Sequence, residues 1–320
     1  MALRGGIDLG GTKIEAIVVD ERHTVRGSSR HATPTDGGPA GVVRELAAAI
    51  RAAAVAAGTE VSALAGVGVG APGQVDHELG TLANAANLPD WLDPFPLTAT
   101  LGGQLGVRVE LGNDVRVAVE AERLLGAGTA YSSFLGVWWG TGIGGALVLD
   151  RKLWLGRGSA GELGHIVIKL DGARCQCGRR GCLEAYAGRG AMEQRARKAE
   201  HKGEKTKLFE LMHKNDRTRL TSGVWEAALE HGDKLAKSLI DEAVEALGAG
   251  VGSVVNLLDV EAVVIGGGLG TRFGQPYVEK IAKAAAPHLF VADRPPVFLP
   301  AQLGDLGGAI GASLLVHDGS

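Results

Sequence analysis

One histidine and three cysteines form the densest group of reactive side chains in this sequence. His165 lies ten residues before Cys175, and Cys177 and Cys182 follow within the next seven residues. Histidine nitrogen and cysteine sulfur are ligands that zinc prefers, and three cysteines with one histidine are a common closed structural set. The spacing therefore predicts a structural zinc site, with three unconnected buried thiols as the alternative.

Two glycines inside this cluster indicate a tightly turned loop. Gly178 and Gly181 can adopt backbone conformations closed to other residues, so the chain could aim all three sulfurs at one point. The sequence contains only three cysteines, an odd number, and all lie within eight residues. An odd, clustered count argues against a disulfide framework and for metal ligation.

Two glycine-rich loops offer backbone N–H groups to phosphate oxygens. The first is Asp8-Leu-Gly-Gly-Thr-Lys13 and the second is Gly140-Thr-Gly-Ile-Gly-Gly145. Glycine permits close approach of a phosphate, and each loop adds a threonine hydroxyl. Neither has the Gly-Lys-Ser/Thr ending of a Walker loop, and neither opens a helix as a dinucleotide motif does. Each loop alone fits a hairpin turn equally well, but two loops after equivalent strands favour phosphate binding.

Asn113 and Asp114 stand at the end of a predicted strand and just before a predicted helix. An aspartate at this position can cap the helix. It can also position a hydroxyl group that attacks a phosphate, as kinases require. Taken alone, the pair fits a cap better, and both interpretations stay open at this point.

Two further carboxylates flank the histidine and cysteine cluster. Glu162 precedes His165 by three residues, and Glu184 follows Cys182 by two. Carboxylates bind vicinal sugar hydroxyls through paired hydrogen bonds, and a neighbouring metal could hold them rigidly. The alternative is two solvated surface acids.

Strands and helices must alternate along the chain to position these groups. The patterns predict strands at 3–7, 14–19, 65–70, 107–111, 134–139, 146–149, 262–265 and 297–299, and helices at 40–57, 115–126, 275–287 and 307–316, with two or three more in 191–245. Glu120 and Glu122 are expected to face outward. The alternation predicts an α/β fold with mixed sheets.

A weak internal repeat indicates a duplicated fold. A strand–turn–strand unit with a Gly/Thr-rich tip occurs at 5–19 and again at 134–149. In each half a later strand ends in a glycine cluster, at 70–73 and at 266–268. Duplication, with a cleft between the halves, would explain the pattern.

The predicted domain boundary lies in a helix near 115–125, because no flexible linker separates the halves. A smaller α/β lobe is expected at 1–118, joined by a C-terminal helix at 305–320. A larger α/β lobe with the zinc site is expected at 119–304.

Composition excludes several classes of protein. The 320 residues are 45% hydrophobic and 22% charged, which is ordinary for a globular protein with a core. A formal net charge of -3 argues against a nucleic-acid partner. The sequence shows neither a signal peptide nor an uncharged apolar run of about 20 residues, so the expected location is the cytoplasm and no membrane partner is expected.

Together the motifs resemble the ROK family (repressor, ORF, kinase) of the actin-like ATPase and sugar kinase superfamily. The resembling segments are Asp8–Lys13, Gly70–Gly73, Asn87–Trp91, Asn113–Asp114, Gly140–Gly145, Gly161–His165, Cys175–Glu184 and Gly266–Gly268. The resemblance implies a duplicated actin-like (ribonuclease H-like) α/β fold of two lobes with a cleft between them. The chain departs from the usual pattern at Gly112, Arg116 and Ala146.

The resemblance also implies residue roles. Asp114 is expected to be the general base that takes the proton of a sugar 6-hydroxyl. The implied sugar ligands are Asn87, Asn113, Asp114, Glu162, His165 and Glu184. The implied nucleotide contacts are Asp8, Gly10, Gly11, Thr12, Lys13, Thr141, Gly142, Gly267 and Gly268. His165 would use one ring nitrogen for zinc and the other for the sugar, and Mg²⁺ would accompany ATP.

The implied activity is an ATP:hexose 6-phosphotransferase, with glucose as the expected sugar. The alternatives are a kinase of mannose, fructose, allose or N-acetylmannosamine, and a sugar-sensing ROK protein without catalysis. Repressors of the family carry a helix-turn-helix domain ahead of the first glycine loop, whereas seven residues precede Asp8 here. A homodimer or homotetramer is expected.

Overall fold

The computed structural model describes residues 2–85, 87–215 and 217–316. The strands are β1 (Leu3–Leu9), β2 (Lys13–Val19), β3 (Val25–Ala32), β4 (Leu64–Ala71), β5 (Gln74–Asp76), β6 (Thr81–Ala83), β7 (Val109–Asn113), β8 (Phe134–Trp139), β9 (Ile143–Leu149), β10 (Lys152–Trp154), β11 (Ala262–Gly266) and β12 (Val297–Pro300). The α-helices are α1 (Gly38–Ala56), α2 (Leu97–Leu105), α3 (Asp114–Leu125), α4 (Glu184–Ala187), α5 (Arg189–His201), α6 (Leu208–Lys214), α7 (Ser222–Glu230), α8 (Lys234–Leu258), α9 (Gly267–Ala285) and α10 (Gly307–Ser313).

The chain divides into two compact α/β units. Unit 1 contains the residues up to Leu125 together with those from Asp305 onward, and unit 2 contains Gly126–Gly304. The boundary predicted at residue 118 falls within α3. Within the described residues, none of the helices combines the length and hydrophobicity that crossing a bilayer requires.

Unit 1 is built on a five-stranded sheet in the order β3-β2-β1-β4-β7. Strands β1, β4 and β7 run parallel, whereas β2 and β3 are antiparallel additions. Asp8 pairs with Gly70, which pairs with Gly112 on the next strand. The carboxyl ends of the three parallel strands therefore meet at one edge, where ligands of open α/β sheets bind.

Unit 2 has a sheet with the same arrangement, in the order β10-β9-β8-β11-β12. Strands β8, β11 and β12 are parallel, and β9 and β10 are antiparallel additions. The hairpin β1–β2 of unit 1 therefore corresponds to the hairpin β8–β9 of unit 2. The predicted duplication is confirmed at the level of strand order.

Each sheet is packed against helices through apolar side chains. Unit 1 buries Ile7 of β1 and Val69 of β4 with Leu46 of α1. Unit 2 buries Val137 of β8 with Leu247 of α8. Removal of this apolar surface from water is the main force that holds each unit together.

The C-terminal helix α10 lies directly on the sheet of unit 1. A Cβ atom at Gly6 of β1 would lie 2.0 Å from the Ala309 carbonyl oxygen, and one at Gly68 of β4 would lie 1.8 Å from that of Ala312. Side chains at these two strand positions would push the helix off the sheet. The glycines of β1 and β4 thus permit backbone contact with a helix that lies about 300 and about 240 residues later in the sequence, respectively.

One predicted orientation was wrong. Glu122 was expected to face outward, but its side chain is buried, with only 1% of its surface exposed. It follows the buried Ala118 by one helical turn, so both residues lie on the inner face of α3.

The helical regions also differ from the predictions in count and extent. Four helices, α5 to α8, occupy the charged region that was assigned two or three. Helix α9 begins at Gly267 instead of residue 275, because its first turns carry the glycines that were interpreted as a loop. Gly274 breaks the helical conformation with a φ of 58°, just before Pro276, so the predicted start corresponds to the second half of a kinked helix.

Candidate active site and metal centre

The first glycine-rich loop, predicted to bind phosphate, is a tight hairpin between β1 and β2. The Gly10 amide donates to the Lys13 carbonyl at 2.9 Å, and the Thr33 hydroxyl donates to the Gly10 carbonyl at 2.6 Å. These bonds fix the loop and use the Gly10 amide internally. Gly11 and Thr12 are exposed at its tip, where their N–H groups could meet a phosphate.

Asn87 lies directly against this loop. A Cβ atom at Gly11 would lie 2.8 Å from the Asn87 Cβ atom and 3.0 Å from its carbonyl oxygen, so only glycine permits the contact. The segment around Asn87 is anchored by Trp91, a buried residue whose indole N–H donates to the Leu82 carbonyl at 2.8 Å. The structure thus brings together one predicted sugar ligand and one predicted phosphate contact.

Lys13, the last residue of the loop, is part of an ion-pair network. Its ammonium nitrogen lies 3.6 Å from carboxylate oxygens of both Glu15 and Asp305. Arg30 binds the same two carboxylates, at 2.6 and 3.2 Å. The network fixes the start of β2, and the positive charge of Lys13 is shared with these acids.

Asp8 lies near the carboxyl end of β1, and its pKa is raised. Burial, reinforced by the negative charge of Asp114, raises the pKa of Asp8 from 3.8 to about 7, although nearby Lys13 opposes the shift. Desolvation and a like charge both disfavour an ionised carboxyl group. The Asp8 side chain is also confined, since a Cβ atom at Gly308 would lie 2.7 Å from its carboxyl carbon.

The Asp8 pKa predicts a pH-dependent stability. Because the folded state holds the Asp8 proton up to about pH 7 while the unfolded state loses it near pH 3.8, stability from this group falls as pH rises through that window. The full shift corresponds to about 4 kcal/mol, and partial solvent contact reduces our expectation to about 2 kcal/mol. Asp8→Asn should therefore gain Tm relative to the wild type between pH 5 and pH 8, measured by thermal unfolding without nucleotide.

Asp76→Asn is the matched control for this experiment. Asp76 binds backbone amides in an exposed turn of the same unit, far along the chain from Asp8. Its Tm difference from the wild type should not grow over that range. Parallel pH profiles for wild type and Asp8→Asn would contradict the raised pKa.

Asn113 caps helix α3, whereas the sequence predicted that Asp114 could form the cap. The Asn113 side-chain oxygen accepts a hydrogen bond from the Arg116 amide at 3.2 Å, which is the bond of a helix N-cap. Asp114 is the first residue of α3, and its Oδ1 accepts from the adjacent Val115 amide at 2.9 Å. The capping position therefore belongs to Asn113, which leaves Asp114 at the strand edge beside Asp8.

The second glycine-rich loop, also predicted to bind phosphate, joins β8 to β9 and contacts the start of α5. The Gly190 amide donates to the Thr141 carbonyl at 2.9 Å, and the Arg189 amide donates to the Gly140 carbonyl at 3.1 Å. A Cβ atom at Gly142 would lie 2.2 Å from a carboxylate oxygen of Glu184. Glycine at this position therefore lets the loop lie directly on that carboxylate.

Arg189 is a residue of this loop region that sequence reasoning missed. Its guanidinium donates to the Thr141 hydroxyl at 2.7 Å. Desolvation and the charge of Arg219 lower the pKa of Arg189 below its ordinary value, while Glu193 opposes the shift. The sequence offered one signal, a cation directly after Gly188. Only the fold shows that this arginine binds Thr141.

Gly267 and Gly268 lie next to the second loop. A Cβ atom at Gly267, where φ is 81°, would lie 2.8 Å from backbone atoms of Trp139. A Cβ atom at Gly140 would lie 3.9 Å from the Gly268 amide nitrogen. The structure therefore groups these predicted nucleotide contacts with Thr141 and Gly142 in unit 2.

The segment from Gly161 to His165 packs against the same hairpin. Cβ atoms at Gly161 and Gly164 would lie 2.7 Å from the Gly145 carbonyl oxygen and 2.2 Å from that of Ile143. The backbone of this segment thus contacts β9 without intervening side chains. Glu162 is exposed and His165 is half-buried at its end.

His165 and the three cysteines converge as the spacing predicted. Their four ligand atoms all lie within 4.8 Å of one another. Cys175 Sγ lies 3.8 Å from His165 Nδ1, and Cys177 Sγ lies 3.7 Å from Cys182 Sγ. With Zn–S bonds of about 2.3 Å, two thiolates of a tetrahedral site are about 3.8 Å apart, so this donor set fits zinc.

Gly181 shows why the loop needs glycine. Its φ is 79°, and a Cβ atom there would lie 1.8 Å from the Lys169 carbonyl oxygen. Gly178 also has a positive φ, of 88°. The expectation that these glycines allow the sulfurs to converge is confirmed by their conformations.

Glu184 links the loop that carries Cys175 to the second glycine-rich loop. One of its carboxylate oxygens accepts from the Ile143 amide at 2.9 Å, and the other lies 3.9 Å from Cys175 Sγ. Both of its oxygens therefore face groups that the sequence assigned to separate functions. Its proposed contact with a sugar stays a prediction.

The predicted residues thus form two sets, each within one unit. Unit 1 brings together Asp8, Gly10, Gly11, Thr12, Asn87, Asn113 and Asp114 near the carboxyl edge of its sheet. Unit 2 brings together Thr141, Gly142, Glu162, His165, Glu184, Gly267 and Gly268 with the cysteines.

Similarity to known proteins identifies the family. The model of the ROK family matches residues 4–319. This chain belongs to the ROK family. It is 33% identical over 318 residues to a glucokinase of Thermotoga maritima, covering 98% of this chain and 96% of that protein. It is 32% identical over 324 residues to an N-acetylgalactosamine kinase of a Shewanella species, covering 98% of this chain and 96% of that protein.

Solved structures of ROK proteins agree with the fold. A ROK family glucokinase from Streptomyces griseus, solved in complex with glucose and AMPPNP, superposes with a TM-score of 0.83 at 32% identity, covering 99% of this chain and all of that one. The predicted fold class, an α/β actin-like fold of two lobes, is confirmed.

Proposed function

We propose that this ROK protein is an ATP-dependent hexose kinase that phosphorylates the 6-hydroxyl group of glucose. The observation that carries the proposal is the similarity, over 99% of the chain, to a glucokinase solved with glucose and AMPPNP. Sequence identity of 33% to a second glucokinase, over 98% of the chain, supports the same activity.

Asp114 is the general base of the proposed reaction. Its carboxylate takes the proton of the sugar 6-hydroxyl while that oxygen attacks the γ-phosphorus of ATP and ADP leaves. The raised pKa of Asp8 supports this assignment. Before the metal and ATP bind, a proton on Asp8 removes one negative charge beside Asp114, which favours the ionised carboxylate that a general base needs.

The proposal takes its sugar and nucleotide ligands from the family resemblance. Sugar hydroxyl groups are bound by the residues that the family resemblance implies, Asn87, Asn113, Glu162, His165 and Glu184. Backbone amides of the two glycine loops bind phosphate oxygens. Asp8, ionised once the charge of the metal displaces its proton, would hold the Mg²⁺ that accompanies ATP, and the ion would supply neutralisation of charge on the transferred group.

Zinc has a supporting role in the proposal. His165, Cys175, Cys177 and Cys182 would hold the ion, which supplies a rigid four-point anchor for the loop. The His165 Nδ1 atom faces Cys175 Sγ. The other ring nitrogen is then the one that binds the sugar. The homodimer or homotetramer and the cytoplasmic location stay predictions of the sequence.

A panel of sugars assayed with ATP and with polyphosphate tests the proposal. We expect ATP-dependent release of sugar 6-phosphate, with the highest kcat/KM for glucose over mannose, fructose, allose and N-acetylmannosamine. N-Acetylgalactosamine belongs in the panel because a relative at 32% identity is named for it. A higher kcat/KM for an N-acetylated sugar would replace glucose as the substrate, and no turnover with any sugar would refute the kinase.

Arg189→Gln should raise the KM for ATP about tenfold, the loss expected for one charge-assisted hydrogen bond. The guanidinium positions the Thr141 hydroxyl and adds positive charge beside the second phosphate loop. The KM for sugar should stay within about twofold, and Arg189→Lys should recover part of the loss.

Arg294→Gln is the control for this substitution. Arg294 pairs with Asp259 on the exposed surface of the same unit, so its loss should leave both KM values unchanged. If Arg189→Gln raised both KM values together, its role would be general to the fold and not specific to the nucleotide.

A further inference from the structure

A cavity in unit 2 is lined by none of the residues assigned to sugar and nucleotide, although Cys175 in its wall lies next to His165 and Glu184. It has a volume of about 520 Å³ and lies between α5 and the loop that carries Cys175. Pockets for small organic ligands usually measure about 300–1,000 Å³. The cavity is therefore large enough for a metabolite of hexose size.

One face of α5 forms a wall of this cavity. Ala191, Gln194, Arg195 and Lys198 all line it, and they are spaced as neighbours on one helical face. Ala191 carries only a methyl group, which leaves room, whereas the other three carry polar ends. The helix thus presents an amide and two cations to the cavity.

The loop that carries Cys175 forms the opposite wall. Arg174 and Gln176, which precede and follow Cys175, line the cavity, and both are exposed. Within the described part of the chain, the residues that line the cavity include three cations and no carboxylate. Such a lining favours an anion with several acceptor oxygens.

Arg195 brings a cation that is already paired with a carboxylate. Its Nη2 atom pairs with Glu242. Its Nη1 atom is buried and has no hydrogen-bond partner among the groups that the structure describes. A buried atom does not face the open space of the cavity, so Arg195 contributes charge to the lining and no free donor.

From this cationic lining and the volume, we propose that the cavity is a second binding site for a phosphate monoester. Arginine and lysine match the three oxygens of a phosphate group, and the two glutamine amides can bind hydroxyl groups of the attached sugar. A ligand bound there contacts the residues on both sides of Cys175 along the chain.

Calorimetric titration of the full chain tests the proposal, with inorganic phosphate and glucose 6-phosphate as probes. The protein is first saturated with glucose and AMPPNP, so that remaining binding reports a site other than the active one. We expect glucose 6-phosphate to bind one site per chain, more tightly than phosphate, and to weaken at least fivefold between about 50 and 200 mM salt.

Three variants locate the site. Lys198→Gln and Arg195→Gln should each weaken glucose 6-phosphate binding at least fivefold, and Ala191→Phe should abolish it by filling the cavity without a change of charge. Lys214→Gln, on α6, makes the same charge change outside the lining and should have no effect. Unchanged binding in all three variants, with melting temperatures near that of the wild type, would overturn the proposal.

The two probes separate the possible failures. Phosphate binding as tight as that of the ester would overturn the ester assignment. The choice of glucose 6-phosphate as a probe rests on the proposed kinase function, whereas the choice of inorganic phosphate does not. A protein that bound phosphate at this cavity but phosphorylated no sugar would refute the proposed function alone.

Discussion

Replacing Asp114 with asparagine should lower kcat by about a thousandfold, the range lost when a general base is removed. Asparagine has nearly the same shape as aspartate and can still accept the hydrogen bond from the Val115 amide. The fold of α3 should therefore survive. Its amide cannot take the proton of the sugar hydroxyl, so the loss should be in turnover, measured by steady-state kinetics of ADP release.

Glucose affinity separates this role from a structural one. Binding measured without ATP should change by less than about threefold in Asp114→Asn, because only one of several sugar ligands is altered. Asp76→Asn removes an exposed carboxylate of the same unit and should retain full activity. Near-normal kcat in Asp114→Asn would refute the base assignment.

Replacing Cys177 with serine should remove the metal and weaken sugar binding together. The purified wild type should contain about one zinc per chain, as a closed four-ligand site requires. Cys177 lies 3.7 Å from Cys182 at one edge of the ligand set, and serine is a poor ligand for zinc. We expect Tm to fall by about 10 °C, the shift for about 3 kcal/mol in a domain of this size.

The loss of glucose affinity is the more specific part of this expectation. Without the metal, His165 is released from its fixed orientation toward Cys175, and glucose Kd should rise about tenfold or more. Asp171→Asn is the control, because Asp171 has a positive φ of 51° that asparagine tolerates, and it is not among the four ligands. Unchanged glucose Kd in a zinc-free Cys177→Ser protein would show that metal and sugar site are independent.

Most of the predictions that the sequence allowed were based on its glycines. Gly11, Gly142 and Gly181 mark positions where a Cβ atom would collide with a neighbouring segment. Such residues are visible in the sequence because their spacing is local. Strand order followed as well, because the two hairpins with Gly/Thr-rich tips repeat along the chain.

What the sequence could not predict depends on contacts between distant segments. Arg189 became part of the phosphate loop only through its bond to Thr141, 48 residues earlier. Glu122 was misplaced because a charged side chain was assumed to face solvent, whereas the inner face of α3 includes it. Strand β3 was missed because its residues alternate between exposed and half-buried and include no apolar run.

The position of α10 has a consequence for biosynthesis. Unit 2 is one continuous stretch of chain, but unit 1 needs residues from Asp305 onward to cover its sheet. A ribosome adds about 5–20 residues per second, so unit 2 is fully synthesised before the helix that completes unit 1 exists. The backbone at Gly6 and Gly68 stays uncovered during that interval, and unit 1, which carries Asp8 and Asp114, is completed only after α10 has been synthesised.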